Sequence, residues 1–234
     1  ERRTSHRAYL KLLIQSYEKI ESFHRSAYIG EIYFSTSRKR YGLSGARPLW
    51  EATYPRAFYS SVEKYGKEFN VPNEFIWAIM RAESRFRPMA VSPVGAQGLM
   101  QIMPNTGRQV AKLLGEYSFH SRSLREPEVN IRIGSRYLQR LLKKFDYTLP
   151  LAAAGYNAGP HRVESWLASF GNLDMDEFIE HIPFLETRNY VKKVIHYYGV
   201  YGSLYAPKFK PMSWLSQPVP VRIARKPAHR ETWE

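Results

Sequence analysis

The clearest candidate for chemistry in this sequence is Glu83, a carboxylate that interrupts an apolar helical pattern. Phe75, Ile76, Ile79 and Met80 recur at the spacing of one helix face, and Glu83 continues that face. The pattern therefore predicts a carboxyl group directed towards the protein interior. Burial of an ionised carboxylate is costly unless the group has a partner or a raised pKa. A carboxyl whose pKa is raised towards neutrality is suited to general acid/base catalysis.

A second candidate is the loop Gly95–Pro104, in which Gly95 and Gly98 permit a tight backbone that approaches its neighbours closely. The amide of Gln101 supplies donors and an acceptor, which suits sugar hydroxyls or an N-acetyl group. Met100 and Met103 would give polarizable walls. Taken alone, however, an apolar stretch rich in methionine is more often core than binding site.

A third candidate is the run of small residues from Ala152 to Pro160, which lets a helix pack closely on its neighbours. Tyr156 and Asn157 are the polar side chains in this run. A tyrosine hydroxyl here can hydrogen-bond a reacting carboxylate or a sugar. The alternative is a plain helix end, at which Asn157 and Gly159 only terminate the helix.

The elements that must position these residues are predicted to be helices. Residues 1–45 read as two basic amphipathic helices that end at Gly42, Gly45 and Pro48, residues 46–202 as one helical domain, and residues 203–234 as an extended, basic, proline-rich tail. In the middle domain Asn70 is expected to cap the helix of Glu83, with Pro72 in its first turn. Further helices are predicted over 104–114, 127–145, 149–158, 160–169 and 187–201, four of them starting at prolines.

Composition limits the classes of function. The chain has 234 residues, no cysteine and a net charge of +14. The absence of cysteine excludes disulfides and thiolate metal sites. The charge indicates either an anionic partner or a solvated basic surface, and charge alone does not decide between the two. The seven histidines lack the spacing of a helical zinc site, and no glycine-rich phosphate loop is present, so no metal and no cofactor are expected. Neither a signal peptide nor a transmembrane segment is visible, and a chain that begins at Glu1 is read as processed or as a fragment.

Four motifs together resemble the catalytic domain of the bacterial soluble lytic transglycosylases. They are Glu83-Ser84, the run Gly98–Pro104, the run Ala154–Pro160 and the run Ile182–Val191, and the likeness covers residues 46–202. The resemblance implies a mainly α, lysozyme-like fold that acts on peptidoglycan at the β-1,4 bond between N-acetylmuramic acid and N-acetylglucosamine. It also implies that one glutamate serves as acid and then as base, so that the muramic C6 hydroxyl closes a 1,6-anhydro ring without water.

The same resemblance implies roles for further residues. Ser92 and Tyr156 match polar residues near the acid, Gln101 and Met103 match residues that line the sugar groove, and Asn157 follows the tyrosine. Glu186 matches an acidic residue on the groove side, although an ion pair with Arg188 or Lys192 is an equally good reading of it. Ser84 is expected to brace the backbone, because it lacks the base that a nucleophilic serine needs.

Three alternatives stay open at this point. A hydrolytic muramidase would need a second carboxylate to activate water, for which Glu164, Asp174 and Asp176 are the candidates without motif support. A non-catalytic peptidoglycan-binding module would gain little from a buried acid. Nucleic-acid binding rests on charge alone and is not expected, because sacculi also carry many carboxylates. The substrate would place the protein in the bacterial envelope or periplasm, and we expect a monomer.

Overall fold

A computed structural model describes residues 7–209 and 212–222 of the protein, and these residues are predominantly helical. The α-helices in these ranges are α1 (Arg7–Lys19), α2 (Phe23–Tyr33), α3 (Ser35–Gly45), α4 (Arg47–Thr53), α5 (Tyr59–Phe69), α6 (Asn73–Glu83), α7 (Pro104–Leu113), α8 (Pro127–Lys144), α9 (Leu149–Ala158), α10 (Pro160–Phe170), α11 (Met175–His181) and α12 (Leu185–Tyr205). Short 3₁₀ helices cover Ser121–Arg125 and Ser213–Ser216. The predicted mainly α class is confirmed.

Prolines mark the starts of the helices in the middle of the chain. Pro104, Pro127, Pro150 and Pro160 each lie in the first turn of α7 to α10, as predicted. A proline is tolerated there because the first N–H groups of a helix have no partner within it. The predicted bounds of these four helices agree with the structure to within one residue.

The predicted cap of the helix that carries Glu83 is wrong. Asn70 does not cap α6 but ends α5, where it adopts a left-handed conformation with φ 52° and ψ 48°. Asparagine tolerates this conformation better than most residues and is therefore a common helix terminator. Pro72 occupies the N-cap of α6, and the helix begins at Asn73.

The amino-terminal helices form a small cluster beside the main core. Leu10, Ile14, Ile29 and Phe34 are buried together, where α1 packs on α2 and α2 on α4. The turn predicted over 42–48 is wrong in part. Gly42 does break the helical geometry, but the chain continues as α3 up to residue 45 and then as α4, with Pro48 in its first turn.

The main core surrounds α6, which packs against α12. Phe75, Ile76, Ile79 and Met80 have no exposed surface, so the predicted apolar face is confirmed. Trp77 is also buried, hence the helix is enclosed on nearly every side, as expected for an apolar helix in a core. A helix held in this way gives Glu83, its last residue, a fixed position.

The carboxyl-terminal segment lies on the domain surface as far as it is described. Helix α12 runs to Tyr205, so the first three residues of the predicted tail are helical rather than extended. Beyond it, Val219 is buried, and its backbone exchanges hydrogen bonds of 2.9 Å with Asn172 and Leu173. This pairing fixes the segment against the loop between α10 and α11. The rest of the predicted tail, residues 210–211 and 223–234, lies outside the described residues.

Candidate active site

Glu83 is the last residue of α6, and its side chain is half-buried. The phenol O–H of Tyr190, on α12, donates a hydrogen bond of 2.6 Å to Glu83 Oε1. Removal from water raises the pKa of Glu83 to about 7, against the lowering effects of the Tyr190 hydrogen bond and the Lys193 charge. The negative charge of Glu186 adds to the rise of this pKa. A carboxyl with this pKa is populated in both protonation states near neutral pH, as the sequence pattern predicted.

Tyr190 is a residue of the site to which sequence reasoning gave no role, although it lies within the fourth motif. Tyr190 lies on the buried face of α12 together with Val191 and Val194, and its side chain is 6% exposed. Burial and the nearby carboxylate raise the pKa of Tyr190 well above its ordinary value, so its proton stays in place as a donor. The helical spacing of 187, 190, 191 and 194 is the signal that points to this position.

Tyr156, on α9, does not contact Glu83 by a hydrogen bond. Its O–H donates instead to the backbone carbonyl of Met100 at 2.7 Å. Burial raises the pKa of Tyr156 well above its ordinary value, and the charge of Glu83 contributes to the rise, so the two groups lie within electrostatic reach. Tyr156 therefore ties the 98–103 loop to α9 beside the carboxyl group.

The loop before α7 uses its polar side chains to hold its own backbone. The N–H of Ala96 donates to Ser92 Oγ at 2.9 Å, which closes the turn over residues 92–96. Gln101 Nε2 donates to the carbonyls of Ala90 and Gly98, at 3.2 and 2.9 Å. Gln101 also has a left-handed φ of 48°. Both amide protons of Gln101 therefore serve the loop, and its Oε1 is the atom left to accept from a ligand.

Asn130, on α8, is the main internal support of this loop, and sequence reasoning missed it. It is fully buried; its Oδ1 accepts from the Met100 N–H at 2.7 Å. Its Nδ2 donates to the carbonyls of Gln97 and Leu124, at 2.9 and 2.7 Å. The sequence does not indicate that this asparagine is buried, because it follows Pro127 at the start of a helix and belongs to none of the four motifs.

Gly98 is required by this arrangement for two separate reasons. Its φ is +80°, and a Cβ there would lie 2.1 Å from the Leu124 carbonyl and 2.3 Å from Asn130 Nδ2. Gly134 similarly lets α8 approach the loop, since a Cβ would lie 2.3 Å from Met100 Sδ. The predicted close approach of the loop backbone is confirmed at Gly98.

Ser84 braces the end of α6, as predicted. Its Oγ donates to the carbonyl of Leu99 at 2.7 Å and accepts from the Arg87 N–H at 3.2 Å. The residue next to Glu83 therefore connects α6 to the 98–103 loop. Carboxyl group and loop are held in one frame.

The remaining predicted site residues lie around this frame in different settings. Met103 is 41% exposed at the start of α7. Asn157 Oδ1 accepts from Thr187 Oγ1 at 2.7 Å, which joins α9 to α12. Glu186 is exposed in the first turn of α12. Of its two alternative partners, Arg188 donates to the Ile182 carbonyl, so its guanidinium is engaged there.

The other alternative partner of Glu186, Lys192, is paired with Glu180 at 2.5 Å. None of the three carboxylates considered for water activation is among the charges that shift the pKa of Glu83. Glu164 pairs with Lys144 at 2.6 Å, Asp176 accepts from its neighbour's N–H, and Asp174 occupies the N-cap position of α11 without a side-chain capping hydrogen bond. Among the described residues, Glu186 is the carboxylate whose charge acts on Glu83.

Two kinds of feature are absent from the part of the chain that the structure describes. No group of three or more histidine, aspartate or glutamate side chains in residues 7–209 and 212–222 is arranged to hold a metal ion. No helix in the same ranges has both the length and the apolarity to cross a membrane.

Comparison with known proteins gives consistent matches. The family model "Transglycosylase SLT domain" matches residues 60–179. The chain is 42% identical over 161 residues to the soluble lytic murein transglycosylase of Escherichia coli K12, which covers 67% of this chain and 25% of that protein. It is 38% identical over 144 residues to a putative soluble lytic murein transglycosylase of Haemophilus influenzae, covering 61% and 24%.

Solved structures give the same result. The 70 kDa soluble lytic transglycosylase of Escherichia coli has a TM-score of 0.73 at 31% identity, covering 88% of this chain and 32% of that one. An inactive mutant of lytic transglycosylase Slt from Pseudomonas aeruginosa has a TM-score of 0.72 at 32% identity, with the same coverage of 88% and 32%. The chain thus spans about a quarter of the length of the curated relatives it matches.

Proposed function

Because the chain belongs to the transglycosylase SLT domain family, we propose that it is a peptidoglycan lytic transglycosylase. The bond cleaved is the β-1,4 link from N-acetylmuramic acid to N-acetylglucosamine, and the product carries a 1,6-anhydro muramic end. The observation that carries this proposal is Glu83, a half-buried carboxyl with a pKa of about 7 that accepts a hydrogen bond from Tyr190.

The proposed reaction uses one carboxyl group twice. Protonated Glu83 donates its proton to the departing glycosidic oxygen while the bond to C1 breaks. The muramic N-acetyl oxygen stabilises the positive charge at C1. Glu83, now ionised, takes the proton of the C6 hydroxyl as that oxygen attacks C1, which returns the carboxyl to its first state. A pKa near 7 suits both steps, because each protonation state is then accessible at neutral pH.

The other side chains have supporting roles in this proposal. Tyr190 holds Glu83 in one orientation and stabilises its ionised form by the hydrogen bond it donates. Tyr156 and Ser92 keep the neighbouring loop in place through the contacts described above. Gln101 Oε1 and Met103 face the sugars, while Asn157 fixes the junction of α9 and α12. Glu186 lies on the groove side.

A muramidase that uses water is the second candidate, and one observation favours it. The charge of Glu186 raises the pKa of Glu83, so a second carboxylate is within electrostatic reach. Glu186 is exposed, however, and water activation in inverting glycosidases needs a base held at a defined distance from the acid. The non-catalytic binding module is disfavoured by the raised pKa of Glu83, which a binder has no use for.

Mass spectrometry of muropeptides released from purified peptidoglycan tests the proposal. Anhydro products are lighter by one water, about 18 Da, than hydrolysed ones, so the two reactions are separated in one measurement. We expect anhydro ends from the wild-type chain and none from a folded Glu83→Gln variant. Reducing ends that disappear in Glu186→Gln would establish the muramidase. Release of neither product would support the binding module.

The setting of the activity is also a proposal. We infer action on peptidoglycan strands as a monomer in the bacterial envelope or periplasm, with neither cofactor nor nucleic acid involved. We also propose the division into residues 1–45, 46–202 and 203–234; the family match at 60–179 falls inside the middle part. High salt is expected to weaken attachment to sacculi, because the net charge of +14 attracts their carboxylates.

A further inference from the structure

Three helix ends meet beside Glu83, and a hydrogen bond joins two of them. Glu83 is the last residue of α6, Asn157 is the last residue but one of α9, and Thr187 lies in the first turn of α12. Thr187 Oγ1 donates to Asn157 Oδ1 at 2.7 Å. Helix α12 packs against both α6 and α9, so this contact belongs to the frame that carries the acid.

Thr187 lies on the face of α12 that is directed towards Glu83. It precedes Tyr190 by three residues, and residues at this spacing are neighbours on one helix face. Helical side chains lean towards the amino terminus, so the Tyr190 ring leans towards the turn of Thr187 while its hydroxyl donates to Glu83 at 2.6 Å. Tyr156, the residue before Asn157, lies within electrostatic reach of Glu83. Asn157 is therefore connected on both sides to residues that surround the acid.

The hydroxyl of Thr187 decides which way the Asn157 amide points. Thr187 is 3% exposed, and Asn157 Oδ1 is the acceptor that its hydroxyl proton has within the described ranges 7–209 and 212–222. If the amide were turned over, Nδ2 would donate to Oγ1, and the buried hydroxyl proton would have no acceptor there. A buried donor without an acceptor is costly, so the observed orientation of the amide is the stable one.

Because Oδ1 faces Thr187, the amide nitrogen of Asn157 remains available as a donor. Within the part of the chain that the structure describes, Nδ2 has no hydrogen-bond partner and is not among the buried polar atoms that lack one. Asn157 as a whole is half-buried. The NH₂ group therefore reaches the surface beside the acid, with two protons to donate.

We propose that Thr187 is a positioning residue, which fixes the Asn157 amide so that Nδ2 donates to the carbonyl oxygen of an N-acetyl group on the bound glycan strand. The inference rests on the proposed function, since it assigns a contact to the same substrate. A carbonyl oxygen only accepts hydrogen bonds. An amide turned over would face it with Oδ1, a second acceptor, and would repel the group that the observed amide binds.

Binding without turnover tests the proposal in the Glu83→Gln background, in which the strand stays intact. The probe is a tetrasaccharide of alternating N-acetylglucosamine and N-acetylmuramic acid, titrated calorimetrically into the full chain. Thr187→Val has nearly the same shape but no hydroxyl, and it should weaken binding about tenfold, as expected for the loss of one hydrogen bond. Thr187→Ser keeps the hydroxyl and should restore most of the affinity.

A matched control separates this effect from the loss of any buried hydroxyl. Thr53, the last residue of α4, is 1% exposed, and its Oγ1 donates to the Leu49 carbonyl at 2.7 Å. Thr53→Val removes the same group from a helix without a residue in the candidate site, and it should bind the tetrasaccharide as its parent does. An equal loss in both valine variants would overturn the proposal, and so would full affinity in Thr187→Val.

The amide protons of Asn157 can also be observed directly by nuclear magnetic resonance. The NH₂ signals of Asn157 are identified in isotope-labelled protein by their loss in Asn157→Ala, and they should shift when the tetrasaccharide is added to the parent. Signals that do not move at saturation would refute the contact. In the Asn157→Ala background, Thr187→Val should have no further effect on binding, and additive losses would refute action through Asn157.

Kinetics with Glu83 in place supply a readout that a merely structural role would not give. Thr187→Val should raise KM and leave kcat and the alkaline limb of the pH–rate profile in place, because the contact holds the strand equally before and during the reaction. A loosened α12 would displace Tyr190 and move that limb, which would overturn the proposal. A strand that binds and shifts the Asn157 signals but yields neither product would count against the proposed function and leave this inference standing.

Discussion

Replacement of Glu83 by glutamine should make the protein more stable at alkaline pH while it removes activity. The reason is that the folded state holds the carboxyl where ionisation is unfavourable. Burial raises the pKa of Glu83 from 4.5 to about 7. Glutamine has nearly the same shape and retains an oxygen that accepts from Tyr190, so the substitution removes the charge and little else.

The magnitude follows from the linkage between protonation and folding. Between pH 4.5 and about 7 the folded state binds more protons than the unfolded state, so the free energy of unfolding falls as pH rises. One pKa unit corresponds to about 1.4 kcal/mol, which makes the full penalty about 3 kcal/mol above pH 7 and zero below pH 4.5. Partial exposure of the carboxyl reduces this, and a gain of about 1 to 3 kcal/mol is expected.

Urea unfolding of both proteins at about pH 5 and about pH 8 measures the difference. The advantage of Glu83→Gln should be small at the lower pH and should grow at the higher one. Glu186→Gln is the matched control, because it removes an exposed carboxylate of the same site and should show no comparable growth. An advantage of Glu83→Gln that is equal at both pH values would refute the reasoning, since it would mean that packing and not ionisation separates the two proteins.

Three further predictions follow from other contacts of the site. Tyr190→Phe should lower turnover about 10-fold to 100-fold and move the alkaline limb of the rate profile to higher pH, because its hydrogen bond lowers the pKa of Glu83; an unmoved limb in pH–rate measurements would contradict this. Gly98→Ala should destabilise the fold by about 2 to 4 kcal/mol in urea unfolding, whereas Gly95→Ala, with a φ of +90° but open space around it, should cost only about 1 kcal/mol. Tyr156→Phe should lower the free energy of unfolding by about 1 to 3 kcal/mol, because it removes the donor to the buried Met100 carbonyl. The same substitution should lower kcat more than it raises KM, and unchanged kinetics would assign the residue to packing alone.

Much of the helical frame is predictable from the sequence, because local signals coincide there. Apolar periodicity and first-turn prolines together define α7 to α10, and the same periodicity identifies the buried face of α6. The elements α5 and α11 were not predicted. Helix α5 begins after Phe58 in a left-handed conformation and without a side-chain cap, so the usual start signal is absent. Helix α11 has seven residues, too few for a periodic pattern.

The candidate site is predictable at its centre and less so at its supports. Glu83 is identified because an acid on an apolar face contradicts its surroundings. Asn130 is not, since two of its three hydrogen bonds go to Met100 and Gln97, which lie next to it only in the folded chain. Asn70 was misplaced for a related reason. Asparagine favours both ends of a helix, and only the structure shows which of two helices it serves.

The two tyrosines show where the choice between partners is made. Both Tyr156 and Tyr190 are buried near Glu83, and the charge of Glu83 raises the pKa of each. The family resemblance predicts Tyr156 near the acid, whereas the run of small residues around it leaves its hydrogen-bond partner open between a carboxylate and a sugar. In the fold, Met100 presents a buried backbone carbonyl that needs a donor, and Tyr156 fills that need. The carboxylate is then left to Tyr190, on the helix that packs directly against α6. The position of the loop and the orientation of the acid are thus controlled by separate hydroxyls. A substitution at Tyr156 should first affect the loop, and one at Tyr190 should first affect the orientation of Glu83.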